Sequence, residues 1–158
     1  QECNNISSLY VARNFLDETM IIDGDQIIKN QEVLTPFFER SGYNSVYITQ
    51  GTNEWLQQMK NGIVVSCSRN GGQCGFQLYG ISRWTKRDSF QLRQDLELEF
   101  VQKHNHQVYW DDVAMFCHPD HYQLGIFEMS SSDVIEIDSI KDLEALNESL
   151  LKERSKNS

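Results

Sequence analysis

The sequence predicts an α/β fold in which helices flank a mixed β-sheet. A short apolar run at residues 20–22 ends in Asp23-Gly24-Asp25, which is typical of a buried strand that stops at a functional sheet edge. Apolar residues at helical spacing precede this run and return over residues 85–104. Between these segments, runs rich in β-branched and aromatic residues alternate with tight-turn sequences, which predicts an antiparallel part of the sheet.

The first part of the chain is predicted to alternate helix and strand. A helix is expected over residues 8–16, where serines precede apolar residues at helical spacing, and it leads into the strand at 20–22. A short helix follows over residues 31–40 with Pro36 at a break, and a strand over 45–49. The first helix and strand form half of a strand-helix-strand crossover, so we expect a truncated chain whose first strand is missing.

An antiparallel meander is predicted over about residues 54–84. Asn61-Gly62 is a strong tight-turn signal, and residues 70–72 mark a second turn. These turns separate strands predicted over residues 55–59, 63–67 and 76–84.

The rest of the chain is predicted to be mainly helical. Thr85 is the expected N-cap of the longest helix, with Asp88 in the position of a capping box. The further predicted elements are a helix over 113–118, strands over 123–128 and 134–137, a closing helix through Leu150, and a polar tail over 152–158. Residues 1–151 are predicted to form a single α/β domain.

Composition narrows the class of function. Twenty-three acidic and 14 basic residues give a formal net charge of −9, which argues against nonspecific binding to nucleic acid and favours a metal or a cationic ligand. No apolar run is long enough to cross a membrane, so we expect a cytoplasmic protein. The four cysteines lack zinc-site spacing and are expected to be reduced, with a Cys67–Cys74 disulfide as the alternative.

Carboxylates are the first group of candidate site residues. Asp23 and Asp25 follow a predicted strand, and Asp138 ends another, on the same side of the strand as Glu136 because side chains alternate. Carboxylate pairs at strand ends suit Mg²⁺, which prefers oxygen ligands. The alternatives are a simple turn at Asp23-Gly24-Asp25, a helix cap at Asp138, and a solvated helix-start acid at Asp111.

Aromatic residues form the second group. Trp84 closes a predicted strand, and Tyr109-Trp110 precede an acidic pair. Aromatic rings beside carboxylates can bind a quaternary ammonium group through cation–π attraction. Core packing of the tryptophans is the alternative.

Five segments, taken in order, carry a family resemblance. They are residues 4–10, 21–25, 80–84, 109–111 and 135–139, with the sequences NNISSLY, IIDGD, GISRW, YWD and IEIDS. Together they resemble the bacterial CTP:phosphocholine cytidylyltransferases of the sugar-1-phosphate nucleotidyltransferase-like superfamily. The resemblance implies a nucleotide-diphospho-sugar transferase-like, Rossmann-like fold.

The resemblance also implies residue roles. Asp25 and Asp138 would be the catalytic residues and the Mg²⁺ ligands. The implied nucleotide-binding residues are Asn5, Ser7 and Asp23. The implied substrate-binding residues, around the choline group, are Trp84, Tyr109, Trp110 and Asp111.

The implied reaction is in-line attack of phosphocholine on the α-phosphorus of CTP, which gives CDP-choline and pyrophosphate. Mg²⁺ is the implied cofactor, and CTP and phosphocholine are the implied partners, with no nucleic acid and no membrane. Family members have a glycine-rich, basic loop that cradles the triphosphate. No such loop precedes Asn4, so we expect little or no turnover from this chain alone.

Other functions stay open. The chain could be a noncatalytic choline-binding or regulatory module, or a cytidylyltransferase for 2-aminoethylphosphonate or a sugar phosphate. An incomplete sheet with an exposed edge favours a homodimer.

Overall fold

A mixed six-stranded sheet lies at the centre of the computed structural model, which describes residues 3–156 and all their side chains except those of residues 149 and 153–156. The strands are β1 (Thr19–Ile22), β2 (Gln26–Ile28), β3 (Gly42–Ile48), β4 (Leu56–Lys60), β5 (Ile63–Ser68), β6 (Gly75–Trp84), β7 (Gly125–Glu128) and β8 (Val134–Glu136). The α-helices are α1 (Ile6–Ala12), α2 (Lys86–Glu97), α3 (Trp110–Asp112) and α4 (Ile140–Lys156).

The sheet has the order β5-β4-β6-β3-β7, and β1 also pairs with β6. Strands β3 and β7 are parallel, whereas β6 is antiparallel to β1, β3 and β4. A separate two-stranded sheet pairs β2 with β8. The predicted mixed sheet with flanking helices is therefore confirmed.

The central strand β6 carries the core. Its second half, from Gly80 to Trp84, is buried. Below it, the fully buried Leu92 and Leu96 lie about one turn apart on α2, as helical spacing requires. Thr85 caps α2 by accepting a hydrogen bond from the Asp88 backbone nitrogen at 3.3 Å, so the predicted N-cap is confirmed.

Several predicted elements differ in the structure. Strand β1 is antiparallel to β6, and the expected strand-helix-strand crossover into β1 stays a prediction. Residues 31–40 form only the 3₁₀ turn Gln31–Leu34, because the chain turns extended at Thr35 before Pro36. Helix α4 continues through Lys156, beyond the predicted end at Leu150.

Smaller differences concern the other helices and the cysteines. Helix α1 begins at Ile6 and passes into a 3₁₀ turn at Arg13–Phe15, and α2 passes into a π-helical turn at Leu98–Gln102. Cys67 and Cys74 form no disulfide with each other, so the alternative disulfide is wrong. Among the described residues, no helix is both long and apolar enough to cross a membrane.

A buried arginine holds the irregular segment 31–40 against the sheet. Arg83 is 1% exposed, and its Nε donates to the Thr35 carbonyl at 2.9 Å. One terminal nitrogen donates to Asn44 Oδ1 and the other to the Val33 carbonyl. Burial lowers the pKa of the guanidinium, and the planar fork replaces lost water contacts by directed hydrogen bonds.

We expect Arg83→Lys to lower the free energy of unfolding by roughly 3 kcal/mol, because an ammonium group cannot reproduce the forked donors and leaves buried carbonyls unpaired. Urea denaturation measures the effect. Arg87→Lys, at an exposed position on α2, is the control and is expected to stay within about 0.5 kcal/mol of the wild type. Equal stability of the two variants would contradict this account of Arg83.

Candidate functional site

Two sheets hold the Asp23-Gly24-Asp25 segment at its two ends. The Asp23 backbone nitrogen donates to the Gly80 carbonyl at 2.8 Å, which extends the pairing of β1 with β6. The Asp25 carbonyl accepts from the Ile137 nitrogen at 2.9 Å, which extends the pairing of β2 with β8. The small sheet therefore brings Asp138, the residue after Ile137, to the segment that carries Asp25.

The carboxylate of Asp138 is not used as a helix cap. Ser139 caps α4 instead: its Oγ accepts from the Asp142 nitrogen at 3.3 Å, and Asp142 Oδ2 accepts from the Ser139 nitrogen at 2.8 Å. These hydrogen bonds lower the pKa of Asp142. Asp138 itself is exposed, and the helix cap expected at this end of the strand is made by the next residue, Ser139.

Glu136 is a third acid of this group, which the sequence prediction did not include among the site residues. Gln26 Nε2 donates to its Oε1 at 2.9 Å. Burial, together with the negative charges of Asp138 and Asp25, raises the pKa of Glu136 to about 7. The alternation of side chains in 134–137 was the signal, since it places Glu136 on the same side as Asp138.

Asp23 is the link to the aromatic part of the site. Trp110 Nε1 donates to Asp23 Oδ1 at 3.3 Å, while burial raises the pKa of this carboxyl. The side chain lies across Gly80, where a Cβ atom would come within 2.1 Å of Asp23 Oδ2. A side chain at position 80 would therefore displace Asp23.

Asp111 is buried rather than solvated, so the helix-start alternative is wrong for it. Its Oδ1 has no hydrogen-bond partner among the described residues. Burial raises the pKa of Asp111 well above its usual range, and the charge of Asp23 adds to the effect. The carboxyl lies beside Tyr43, whose pKa is raised by its own burial and by Asp111.

These acids share a surplus of negative charge. The group, called the acidic cluster below, consists of Asp23, Asp25, Asp111, Glu136 and Asp138. In the described part of the chain, none of them forms an ion pair with a lysine, arginine or histidine. The arrangement suits a bound cation, because a cation would relieve the repulsion that adds to burial in raising the pKa values of Asp23, Asp111 and Glu136.

The predicted aromatic residues occupy different environments. Trp84 is fully buried and packs against Tyr43 and Trp110, with ring centroids 6.1 and 6.3 Å apart, as the core alternative describes. Trp110 is 3% exposed, whereas Tyr109 is 47% exposed. Tyr109 packs edge-on against Trp55 at 5.9 Å, an aromatic neighbour that sequence reasoning missed.

Asn5 supports Trp110. Its Oδ1 accepts from the Trp110 backbone nitrogen at 2.9 Å, and its side chain forms no cap of α1. Ser7 Oγ donates to the Asn4 carbonyl at 2.8 Å. Neither contact tests the predicted nucleotide-binding role of Asn5 and Ser7, which stays a prediction.

Asp111→Asn is expected to make the protein more stable at neutral pH. The folded state keeps a proton on Asp111 that the unfolded chain loses above about pH 4, so the wild type loses stability as pH rises from there towards the folded pKa. Asparagine does not titrate, so the variant does not lose stability in this way. Each unit between the folded and unfolded pKa values of Asp111 corresponds to about 1.4 kcal/mol in the free energy of unfolding. Urea denaturation from pH 4 to 8 should show the advantage shrinking as the pH falls.

Asp112→Asn is the matched contrast. The Asp112 carboxylate is buried, pairs with Arg69 and accepts from the Tyr109 nitrogen at 2.8 Å, so its loss should destabilise the fold by about 2 kcal/mol at neutral pH. If Asp111→Asn were equally destabilising at pH 7, Asp111 would be an ionised and satisfied carboxylate, contrary to this description.

Comparisons with known proteins also indicate a similarity to cytidylyltransferases. No protein-family description matches this chain. The chain is 26% identical over 148 residues to a 2-aminoethylphosphonate cytidylyltransferase of Lancefieldella rimae, which covers 92% of the chain and 60% of that protein. It is 27% identical over 160 residues to a choline-phosphate cytidylyltransferase of Haemophilus influenzae, which covers 99% of the chain and 67% of that protein.

A solved structure gives the same relationship. The CTP:phosphocholine cytidylyltransferase of Streptococcus pneumoniae superposes with a TM-score of 0.81 at 26% identity, covering 94% of this chain and 64% of that one. The chain thus spans about three fifths to two thirds of the length of these relatives. In sequence and in fold, the chain is therefore similar to the bacterial CTP:phosphocholine cytidylyltransferases.

Proposed function

We propose that this chain supplies the metal-binding and acceptor-binding part of a site that transfers CMP from CTP to phosphocholine. The observation that carries the proposal is the acidic cluster, whose carboxylates interact electrostatically with one another and form no ion pair to any described basic residue. Such a cluster needs cations, and the proposed reaction has two, a divalent metal ion and the choline group.

Asp25 and Asp138 fit a magnesium ion. Both offer carboxylate oxygens, which Mg²⁺ prefers, and the bond between Ile137 and Asp25 fixes their two backbones to each other. The raised pKa of Glu136 indicates an excess of negative charge at this point. Mg²⁺ bound here would neutralise charge on the phosphate oxygens of the substrates.

Asp111 and Asp23 fit the positive end of the acceptor. A trimethylammonium group has no hydrogen to donate, so it is recognised by negative charge and by aromatic faces. The carboxyl of Asp23 supplies charge, and a bound cation would favour the ionised form of the buried Asp111 carboxyl; the exposed ring of Tyr109 lies on the same segment as Asp111. The relatives act on choline phosphate and on 2-aminoethylphosphonate by name, and both compounds join a cation to a phosphorus oxyanion.

The proposed step needs no covalent enzyme intermediate. A phosphate oxygen of phosphocholine attacks the α-phosphorus of CTP, a new P–O–P link forms, and the bond to pyrophosphate breaks. This chain holds the two ends of the acceptor, one near Asp111 and one near Asp25 and Asp138. Catalysis by these residues is therefore positioning of the attacking oxygen and screening of charge.

The acceptor could instead be 2-aminoethylphosphonate. The Lancefieldella rimae relative favours this second candidate, and the unpartnered Oδ1 of Asp111 could accept a hydrogen bond from a primary ammonium group. Side-by-side titration with the two compounds distinguishes them, since the true acceptor should bind more tightly.

Calorimetry with choline, phosphocholine and MgCl₂ tests the proposal. We expect phosphocholine to bind, and Mg²⁺ to strengthen its binding. Asp111→Asn should weaken choline and phosphocholine at least tenfold, because a bound cation would favour the ionised form of Asp111, and asparagine has no ionised form. The double variant Asp25→Asn/Asp138→Asn should lose the Mg²⁺ effect and keep choline binding.

Asp17→Asn, at an exposed position outside the cluster, is the control and should bind like the wild type. Failure of phosphocholine and 2-aminoethylphosphonate to bind would overturn the proposal. Choline binding that ignores Mg²⁺ and CTP, with no pyrophosphate release, would favour the noncatalytic module.

Gly24→Ala is expected to weaken phosphocholine binding without destabilising the fold. A Cβ atom at Gly24 would have no neighbour within 4 Å, and Gly24 does not need a positive φ, so the free energy of unfolding should change by less than about 1 kcal/mol. The added methyl group would occupy the space through which a phosphate approaches Asp25. We expect Mg²⁺-dependent phosphocholine binding to weaken at least tenfold while choline binding stays unchanged. Unchanged phosphocholine binding would place the phosphate elsewhere.

A further inference from the structure

A second group of metal-ligating side chains lies outside the acidic cluster. Asp95 is on α2, while His118 and His121 flank the 3₁₀ turn Pro119–His121. Each of the three residues offers one ligand atom, and these atoms all lie within 4.8 Å of one another. We propose that Asp95, His118 and His121 form a binding site for a transition-metal cation of the Zn²⁺ class.

The ligand chemistry selects the class of metal. Two imidazole nitrogens and one carboxylate oxygen suit Zn²⁺, Co²⁺ or Ni²⁺, whereas Mg²⁺ prefers oxygen alone. His121 Nδ1 lies 2.9 Å from Asp95 Oδ2, a separation close to that of neighbouring ligands around one such ion. The stacked rings of His118 and His121, with centroids 4.9 Å apart, bring the second imidazole to the same place. Small side-chain shifts would complete the coordination.

The ligands are held by outer contacts of the kind found around metal sites. Glu99 Oε1 lies 2.8 Å from His118 Nε2, and a proton on this nitrogen leaves Nδ1 with a free lone pair. The Tyr122 hydroxyl donates to Asp95 Oδ2 at 2.6 Å, which orients a carboxylate that is only 2% exposed. Two of the three ligands are therefore fixed by a neighbour before any metal arrives.

The site also has an entrance. The side chain of His121 is 42% exposed and lines a cleft of about 420 Å³, together with Arg40, Asp88 and Tyr122. Three protein ligands leave at least one position for water. A bound cation would tie the turn at 119–121 to α2, directly beside Tyr122, which packs on Trp84 at 5.8 Å.

Zinc titration of the 158-residue chain, after removal of metals with a chelator, tests this site. We expect one equivalent of Zn²⁺ to bind in competition with a chromophoric chelator and to raise the urea midpoint of unfolding. His121→Asn should weaken the affinity at least tenfold and abolish the shift in the urea midpoint. This variant changes a part-exposed side chain, so it should fold, and its far-UV circular dichroism without zinc checks that it does.

Two controls separate this site from others. His104→Asn, at an exposed histidine outside the group, should bind zinc like the wild type. The double variant Asp25→Asn/Asp138→Asn should also keep its zinc, which distinguishes the site from the proposed magnesium site. Absence of zinc binding by the wild type, retention of full affinity in His121→Asn, or an equal loss in His104→Asn would overturn the proposal.

Discussion

The hydrogen bond from Trp110 to Asp23 joins the two parts of the candidate site. Asp23 belongs to the segment that extends β1, whereas Trp110 begins the helix that carries Asp111. The contact exists because Gly80 lacks a side chain and because the fully buried Trp84 supports the indole from below. Core packing thereby sets the distance between the proposed metal ligands and the proposed acceptor pocket. Trp84 contacts the site through this packing, and its predicted role in substrate binding stays a prediction.

Repulsion among the carboxylates of the acidic cluster destabilises the folded state. Burial alone raises the pKa of Asp111 and Glu136, and neighbouring carboxylates raise it further. A protein selected for stability alone would have replaced such groups or paired them with cations, as Arg69 pairs with Asp112. Unpaired and partly buried acids are therefore better explained by a ligand than by the fold. The ligand class follows from the sign of the charge.

Local sequence signals predicted the elements that depend on local interactions. The strand before Asp23, the cap at Thr85 and the turn at Asn61-Gly62 all rest on residues close in sequence, and the structure contains each of them. The failures depend on distant partners. Arg83 binds the carbonyls of Val33 and Thr35, where the 3₁₀ turn ends, which a helical pattern cannot show. Strand β2 becomes a strand only because β8 pairs with it. The acids at Asp25 and Asp138 were predicted from strand ends, but a small antiparallel sheet brings them together. Burial of Asp111 could not be read from a helix start.

The two proposed cation sites differ in the way their ligands are arranged along the chain. The magnesium ligands are oxygens on exposed or part-buried strand ends, where water and phosphates can complete the coordination. At the other site, two of the three ligands are imidazoles three residues apart, and the third, Asp95, comes from another element. Zinc motifs that can be recognised in a sequence are regular spacings of cysteine and histidine. A pair of histidines completed by a distant carboxylate does not show such a spacing. Nitrogen ligands favour zinc over magnesium, and the oxygen-only cluster favours the reverse. The ligand atoms of the two proposed sites therefore suit different ions.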